Sequence, residues 1–551
     1  MQKVAVLTPR QAADLVDDGD VVAVSSSSAL GCPDAILSGL GQRFAETGHP
    51  RSLTSVHPIA AGDMYGVLGI DHIAQPGMLR RVVAGSYPSG PSSAEPPKIW
   101  QMITGGEVEA YNFPSGVVYQ MHRAAAAHQP GVFTQVGIDT FVDPRQQGGR
   151  MNDVTPAENV ELIEIKGQEW LFFPSIVPDV AIIRATTADE HGNLTFEDEG
   201  SPLGALDLAY AAHNNGGIVI AQVKRLAEEG SLHPQEVRVP GILVDAVVLA
   251  EDQLQTTLTQ NDPAISGQLR RPLSVLPPVP FSLEKIMARR AAAELHAGET
   301  VNLGFGVSAL VPHVLLEEGQ GREISWVIEQ GAVGGVPLLD FAFGCSQNPD
   351  AIMPSIDQFT LLQGGGFDRS LLSFLEIDRE GSVNVHYLPK RRHVTAGVGG
   401  FADITTAAPE IVFIGSFTAG RRDIGLDGGR LEIRADGAHT KLVERVAQVT
   451  FSGKQALARG QKVTYITERA VLRLTPEGLI VTEIAPGVDL QRDVLDRSDF
   501  PLLVSDGLRT MDAALFSPER LGLALDPAPR HPRLERQSAA RTADPAVAAA
   551  R

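Results

Sequence analysis

The run Gly19-Asp20-Val21-Val22-Ala23-Val24, leading into Ser28-Ala29-Leu30 and Pro33, returns in altered form as Gly298-Glu299-Thr300-Val301-Asn302-Leu303, leading into Ser308-Ala309-Leu310 and Pro312. Each copy reads as a Gly-acid turn, a β-rich run, a loop of small residues and then a helix. This is the β-to-α step of a parallel sheet, in which ligands bind at the carboxyl ends of the strands. A diverged duplication of such a unit predicts two tandem, related open α/β domains with mostly parallel sheets. The composition break between them runs from Ser266 to Pro280, where Gly267, Pro272, Pro277, Pro278 and Pro280 interrupt any regular element. The predicted organisation is therefore a first domain over 1–265, a proline-rich linker over 266–280 and a second domain over 281–520. A tail over 521–551, rich in Pro, Ala and Arg, is expected to be disordered.

A chain of 551 residues is too long for a single core, and 43% hydrophobic with 20% charged residues is ordinary globular composition. The formal charge of −20 argues against nucleic acid or an anionic membrane as partner, so any phosphate site must be a local cluster of cations and backbone amides. The two cysteines, Cys32 and Cys345, form no disulfide framework and no Cys-x-x-Cys pair. The start of the chain lacks a long apolar segment, and no later window resembles a membrane span. A cytoplasmic protein is expected.

Glu329 ends the apolar run Ile324-Ser325-Trp326-Val327-Ile328 and opens the turn Glu329-Gln330-Gly331-Ala332-Val333-Gly334-Gly335. A strand that delivers one carboxylate into a loop of small residues suits a nucleophile or general base, because glycine lets a reacting carbon approach closely. Gly304-Phe305-Gly306-Val307-Ser308-Ala309 fits Gly-x-Gly-x-x-Ala, and Glu329 follows about 25 residues later, where a dinucleotide fold would carry its ribose-binding acid. On spacing alone a nicotinamide-dependent oxidoreductase stays open. The segment Thr395-Ala396-Gly397-Val398-Gly399-Gly400-Phe401-Ala402-Asp403 could expose consecutive N–H groups to an oxyanion, although taken alone it reads first as a tight structural turn. His128, His213, His386 and His393 stand singly with no metal-ligand spacing, so no metal is predicted. No Gly-x-Ser-x-Gly elbow is present, and Ser25 to Ser28 reads as a polar turn.

These pieces fall in the order of a known family. The chain resembles family I CoA-transferases, of the long single-chain acetate or propionate CoA-transferase type, from about Val6 to Ser517. The resemblance is carried by Arg123-Ala124-Ala125-Ala126-Ala127-His128-Gln129-Pro130-Gly131, Thr140-Phe141-Val142-Asp143-Pro144-Arg145-Gln146-Gln147-Gly148-Gly149, Ala212-His213-Asn214-Asn215-Gly216-Gly217 and Ile466-Thr467-Glu468-Arg469-Ala470-Val471. It implies two NagB/RpiA-like domains and makes Glu329 the catalytic residue. Gly304, Phe305, Gly306, Val307 and Ser308 become the CoA loop, and Gly397 to Asp403 the Gly-x-Gly-Gly motif, with Gly399, Gly400 and Ala402 at the oxyanion. Arg421, Arg422 and Lys454 are candidate contacts for the CoA phosphates.

The implied activity transfers CoA from a short-chain acyl-CoA to a free carboxylic acid by ping-pong chemistry, through an acyl-glutamyl anhydride and a glutamyl-CoA thioester. CoA is thus substrate and covalent intermediate rather than a permanent cofactor, and the family's habit predicts a homodimer or homotetramer. Alternatives on other chemistry are an acyl-CoA hydrolase and a non-catalytic CoA-binding subunit. Near the expected acyl pocket the chain departs from its relatives, with Ser25 to Ser28 for a glycine triplet, Pro114-Ser115-Gly116 for Pro-Gln-Gly, and Thr360-Leu361-Leu362-Gln363 for an aromatic and acidic run. Ser28, Ser115, Leu362 and Gln363 are accordingly predicted to line that pocket. Ser115 would lack a glutamine's side-chain amide, and Leu361 and Leu362 would give a more apolar wall, favouring a bulkier acid than acetate.

Overall fold

The structure is a computed structural model that describes residues 3–89, 95–157, 159–257, 259–389 and 396–529, apart from the side chain of Phe341. His393, Thr395 and residues 530–551 lie outside them. The first sheet contains β1 (Ala5–Leu7), β2 (Val21–Val24), β3 (Leu53–His57), β4 (Leu79–Ala84), β5 (Glu109–Asn112), β6 (Val180–Arg184), β7 (Ile218–Val223) and β8 (Ala246–Leu249). These strands lie in the order β1-β8-β7-β6-β2-β3-β4-β5, and every pairing is parallel. The apolar runs of the inner strands β2, β3, β6 and β7 are buried on both faces, as a parallel sheet covered by helices requires, while the edge strand β1 is exposed.

The second sheet is built from β9 (Thr300–Leu303), β10 (Ser325–Val327), β11 (Ala332–Val333), β12 (Ala351–Ile352), β13 (Arg369–Ser373), β14 (Glu410–Ile414), β15 (Lys462–Ile466), β16 (Ala470–Thr475), β17 (Gly478–Ile484) and β18 (Leu503–Thr510). Its order is β12-β11-β10-β9-β13-β14-β15-β16-β17-β18. The parallel core β15-β14-β13-β9-β10 repeats the order β8-β7-β6-β2-β3 of the first sheet, so the duplication read from Gly19 and Gly298 is present in the strand topology. Antiparallel strands were added at both edges of the second copy.

Each half keeps a core of its own, and the two also share one. Helix α1 (Ser115–Ala126) of the first half packs against α2 (Ser355–Gln363) of the second, with the Tyr119 and Phe359 rings 5.7 Å apart. One buried apolar cluster runs through both, from Val117 and Tyr119 to Phe359 and Ala402. The proline-rich segment is also tied at both ends. The Arg271 N–H donates to Asn348 Oδ1, the Asn348 amide returns a bond to the Arg271 carbonyl, and Val279 is buried in the second half.

The tail does not begin at 521. The N–H groups of Leu521, Gly522 and Leu523 donate to the Glu318 carboxylate, and Ala297 exchanges backbone hydrogen bonds with Asp526 and Ala528. Leu521, Leu523 and Leu525 pack on the second core, so an alternating apolar pattern inside the Pro and Ala-rich stretch holds residues 521–529 in place. Among the described residues no helix is long and apolar enough to cross a membrane.

Candidate active site

β10 drives Trp326 and Val327 into the core, and Ile328 beyond it is fully buried, so the next residue emerges at the carboxyl end of the sheet. That residue is Glu329. It is half-buried on a cavity of about 410 Å³ between the two halves, together with Gly304, Phe305, Gln330, Gly397, Gly399 and Gly400. Ser27, Ser28, Ile59, Ser86 and Tyr87 supply the facing wall from the first half. Removal from water pushes the Glu329 carboxyl up to about 7, against the opposing pull of the Gly400 N–H and the Gln330 side-chain amide, which both favour the anion. A carboxylate poised near neutrality and walled by small residues is equipped for nucleophilic attack on an electrophilic carbon.

The surroundings leave little freedom at two glycines. Gly306 has φ of +98°, which turns the chain from β9 into the short helix that follows and leaves Phe305 projecting with 59% exposure. At Gly400 a Cβ would fall against the Glu329 carboxylate and 2.7 Å from the Phe359 ring, so any side chain there displaces the carboxylate.

The glycine strip is clamped to the first half by backbone hydrogen bonds. The Tyr87 N–H donates to Ala396 O at 2.6 Å, Gly399 N–H to Gly85 O at 2.8 Å and Ser115 N–H to Gly399 O at 2.9 Å. Asn112 Oδ1 accepts from the Val398 N–H at 2.9 Å, while its amide donates to Ala84 O and Gly85 O. At the head of helix α3 (Phe401–Ala407), Asp403 is fully buried and accepts from the Gly116 N–H at 3.0 Å and the Gln363 amide at 2.7 Å. Burial pushes its carboxyl up to about 7, with the nearby Glu329 charge adding in the same direction.

Comparison with known proteins bears directly on this site. The Coenzyme A transferase family model matches residues 6–250. The acetate CoA-transferase YdiF of Escherichia coli K12 is 39% identical over 95% of this chain and 97% of its own. The chain belongs to the coenzyme A transferase family. A caffeate CoA-transferase of Acetobacterium woodii is 40% identical over 94% of this chain and 98% of its own. The crystal structure of the E. coli O157:H7 acyl-CoA transferase YdiF in thioester complex with CoA superimposes with a TM-score of 0.87 at 37% identity, covering 96% of this chain and 98% of that one.

In this CoA-transferase the structure gathers Glu329, Gly304, Phe305, Gly399, Gly400 and Ser28 on one cavity, and it places the other expected residues elsewhere. Gly399 cannot act as an oxyanion donor, because its N–H is already given to Gly85 O. Ala402 is buried in the shared core one position into α3. Val307 and Ser308 sit in the turn leading away from the cavity, where the Ser308 hydroxyl donates back to Gly304 O.

The cavity has an apolar wall, but residues such as Ile59, Leu372, Phe374 and Ile404 form it rather than Leu361 and Leu362. Leu362 faces inward to the core with no exposure, Leu361 is on the surface, and Gln363 is taken up by Asp403 and Gln120, because α2 turns these side chains away from the cavity. Ser115 is buried at the start of α1, where its backbone serves the clamp. Of the residues expected to shape a pocket for a bulkier acid, Ser28 lines the cavity while Ser115, Leu361, Leu362 and Gln363 do not. Arg422 lies 3.7 Å from Glu284, Lys454 lies 3.8 Å from Asp139, and neither these nor Arg421 line the cavity. His386 is satisfied locally by the Thr450 hydroxyl.

Sequence reasoning passed over Asn112 and the clamp residues Gly85 and Tyr87, while Gln330 and Asp403 stood inside quoted motifs without a role. Nothing in the local pattern distinguishes Asn112, Gly85, Tyr87 or Asp403, since each acts on a partner far away in the chain, whereas Gln330 adjoins the carboxylate it meets.

Proposed function

We propose that this CoA-transferase moves CoA from a short-chain acyl-CoA to a free carboxylic acid through covalent intermediates on Glu329. The observation that carries the reading is one half-buried carboxylate, its carboxyl pushed up to about 7, lining a cavity between the two halves beside Gly304, Gly399 and Gly400. The ionised Glu329 attacks the thioester carbonyl of the donor, with the backbone around Phe305 facing the developing oxyanion, and CoA leaves as the thiolate. That thiolate attacks the glutamyl carbon of the acyl-glutamyl anhydride, expels the first carboxylate and remains on Glu329 as a thioester. The acceptor acid then runs the sequence in reverse.

A carboxylate is required because only an acid forms an anhydride with an acyl group, and water must be kept out because it would hydrolyse either intermediate. The thioester complex solved for the E. coli relative supports this assignment. The test is intact-protein mass after incubation with acetyl-CoA or propionyl-CoA alone, followed by peptide mapping. A gain of one CoA on the Glu329 peptide, discharged by added acetate, is the expected result. Steady loss of acyl-CoA with no acid present and no adduct would instead make the enzyme a hydrolase.

A further inference from the structure

The residue after the candidate nucleophile is held more firmly than its place in a loop requires. Gln330 is 4% exposed, and its backbone carbonyl accepts hydroxyl hydrogen bonds from Ser355 at 2.9 Å and from Ser201, one from each half of the molecule. Its side-chain Nε2 donates to Glu329 Oε1 at 3.2 Å and to Ser27 Oγ at 3.3 Å. Its own Oε1 is buried with no hydrogen-bond partner. A buried carboxamide that leaves its oxygen unsatisfied has its direction set by what its NH2 faces. The opposite orientation would put a carbonyl oxygen against an ionised carboxylate.

The two oxygens of Glu329 thus face different partners, Oε1 the Gln330 side-chain amide and Oε2 the backbone of Gly400, whose N–H also favours the anion. We propose that the Gln330 side-chain amide is a catalytic oxyanion donor for the steps at the glutamyl carbon, a role that rests on Glu329 being the nucleophile. In the anhydride, Oε2 bridges to the acyl group and Oε1 remains the glutamyl carbonyl oxygen. When the CoA thiolate attacks that carbon, a C–S bond forms and the carbonyl π pair moves onto Oε1. Collapse restores the carbonyl, breaks the bond to Oε2 of the bridge and releases the acyl group as its carboxylate. That release would carry Oε2 away with the acid, so Oε1 stays on the enzyme as the carbonyl of the thioester.

Attack by the acceptor carboxylate then raises charge on the same Oε1. One fixed donor, already aimed at Oε1 in the free enzyme, serves both steps without reorganisation.

The experiment measures single-turnover formation of the CoA adduct from acetyl-CoA and its discharge by acetate in Gln330→Met, which keeps length but removes both donors. Formation and discharge are both expected to slow by about 10²-fold. The acetyl-CoA concentration at half-saturation should stay unchanged, and the acidic limb of the pH profile should move upward because a donor to the anion is gone. Gln330→Glu, of the same length and shape, replaces the donor by an acceptor at pH 8 and should be at least as slow. If either folded variant forms and discharges the adduct at the wild-type rate, or if the whole loss lies in half-saturation, the proposal is overturned. Should wild-type enzyme form no adduct at all, it is the assignment of Glu329 that fails, and the Gln330 role falls with it.

Discussion

The two copies of the βα unit carry the same frame and opposite loops. In both, the strand after the Gly-acid turn pairs in parallel with the next strand in the same register, Val21 with Thr54 and Ala23 with Val56, Thr300 with Ser325 and Asn302 with Val327. Two residues beyond Val56 is Pro58, and two beyond Val327 is Glu329. In the first copy the loop after the strand closes on itself. The Ser26 hydroxyl donates to Ser28 O and Ala60 O, Ser27 and Leu30 exchange backbone bonds, and Ser25 to Ser27 are buried. In the second copy the loop projects Phe305, and Glu329 at the end of the neighbouring strand lines the same cavity. The comparison teaches that duplication supplies a rigid edge twice, while chemistry arises where one copy holds a poised carboxylate and the other becomes the wall opposite it.

The comparison is broken most completely at its centre. Glu329→Gln should abolish the CoA adduct and lower transfer by at least about 10⁴-fold with little change in thermal midpoint, as seen by intact mass and steady-state rate. An adduct surviving at another residue would move the active copy. Gly400→Ala comes next, because its methyl occupies the space of the carboxylate and crowds Phe359, and a shift of that size should cost on the order of 10²-fold in adduct formation.

The pH dependence is smaller. Burial raises the Glu329 carboxyl to about 7, so it is mostly protonated and unreactive at pH 6 and mostly ionised at pH 8, and adduct formation should rise roughly tenfold between them. A rate flat over that range would mean the nucleophile is not this desolvated carboxylate. The smallest effect belongs to the closed loop. Ser26→Ala should lower unfolding stability by about 1 kcal/mol in a denaturant titration while adduct formation stays within about twofold, since its hydrogen bonds only tie the loop.

The frame was legible in the chain because it is written in local pattern. The recurrence at Gly19 and Gly298 carried the duplicated strand order, and Ile324 to Ile328 ahead of Glu329 showed a strand ending in a carboxylate. What was misjudged depended on direction and competition. Leu361, Leu362 and Gln363 are adjacent in sequence, yet α2 sends one to the surface, one to the core and one to Asp403. Gly399 belongs to a glycine strip suited to oxyanion binding, but Gly85 from the other half takes its N–H. Leu521, Leu523 and Leu525 were hidden in a stretch whose average composition reads as tail.

The sequence by itself determined the class of fold, the duplication and the carboxylate at a strand end, because hydrophobic period, turn residues and glycine placement act over a few neighbouring positions. Only the tertiary structure decided which surfaces face the cavity, which N–H groups are still available, and that Gln330 from one half is locked by Ser27 and Ser201 of the other. Those outcomes depend on packing two halves against each other through a shared apolar cluster, and the hydrogen bonds that result join residues hundreds of positions apart, beyond the reach of any local pattern.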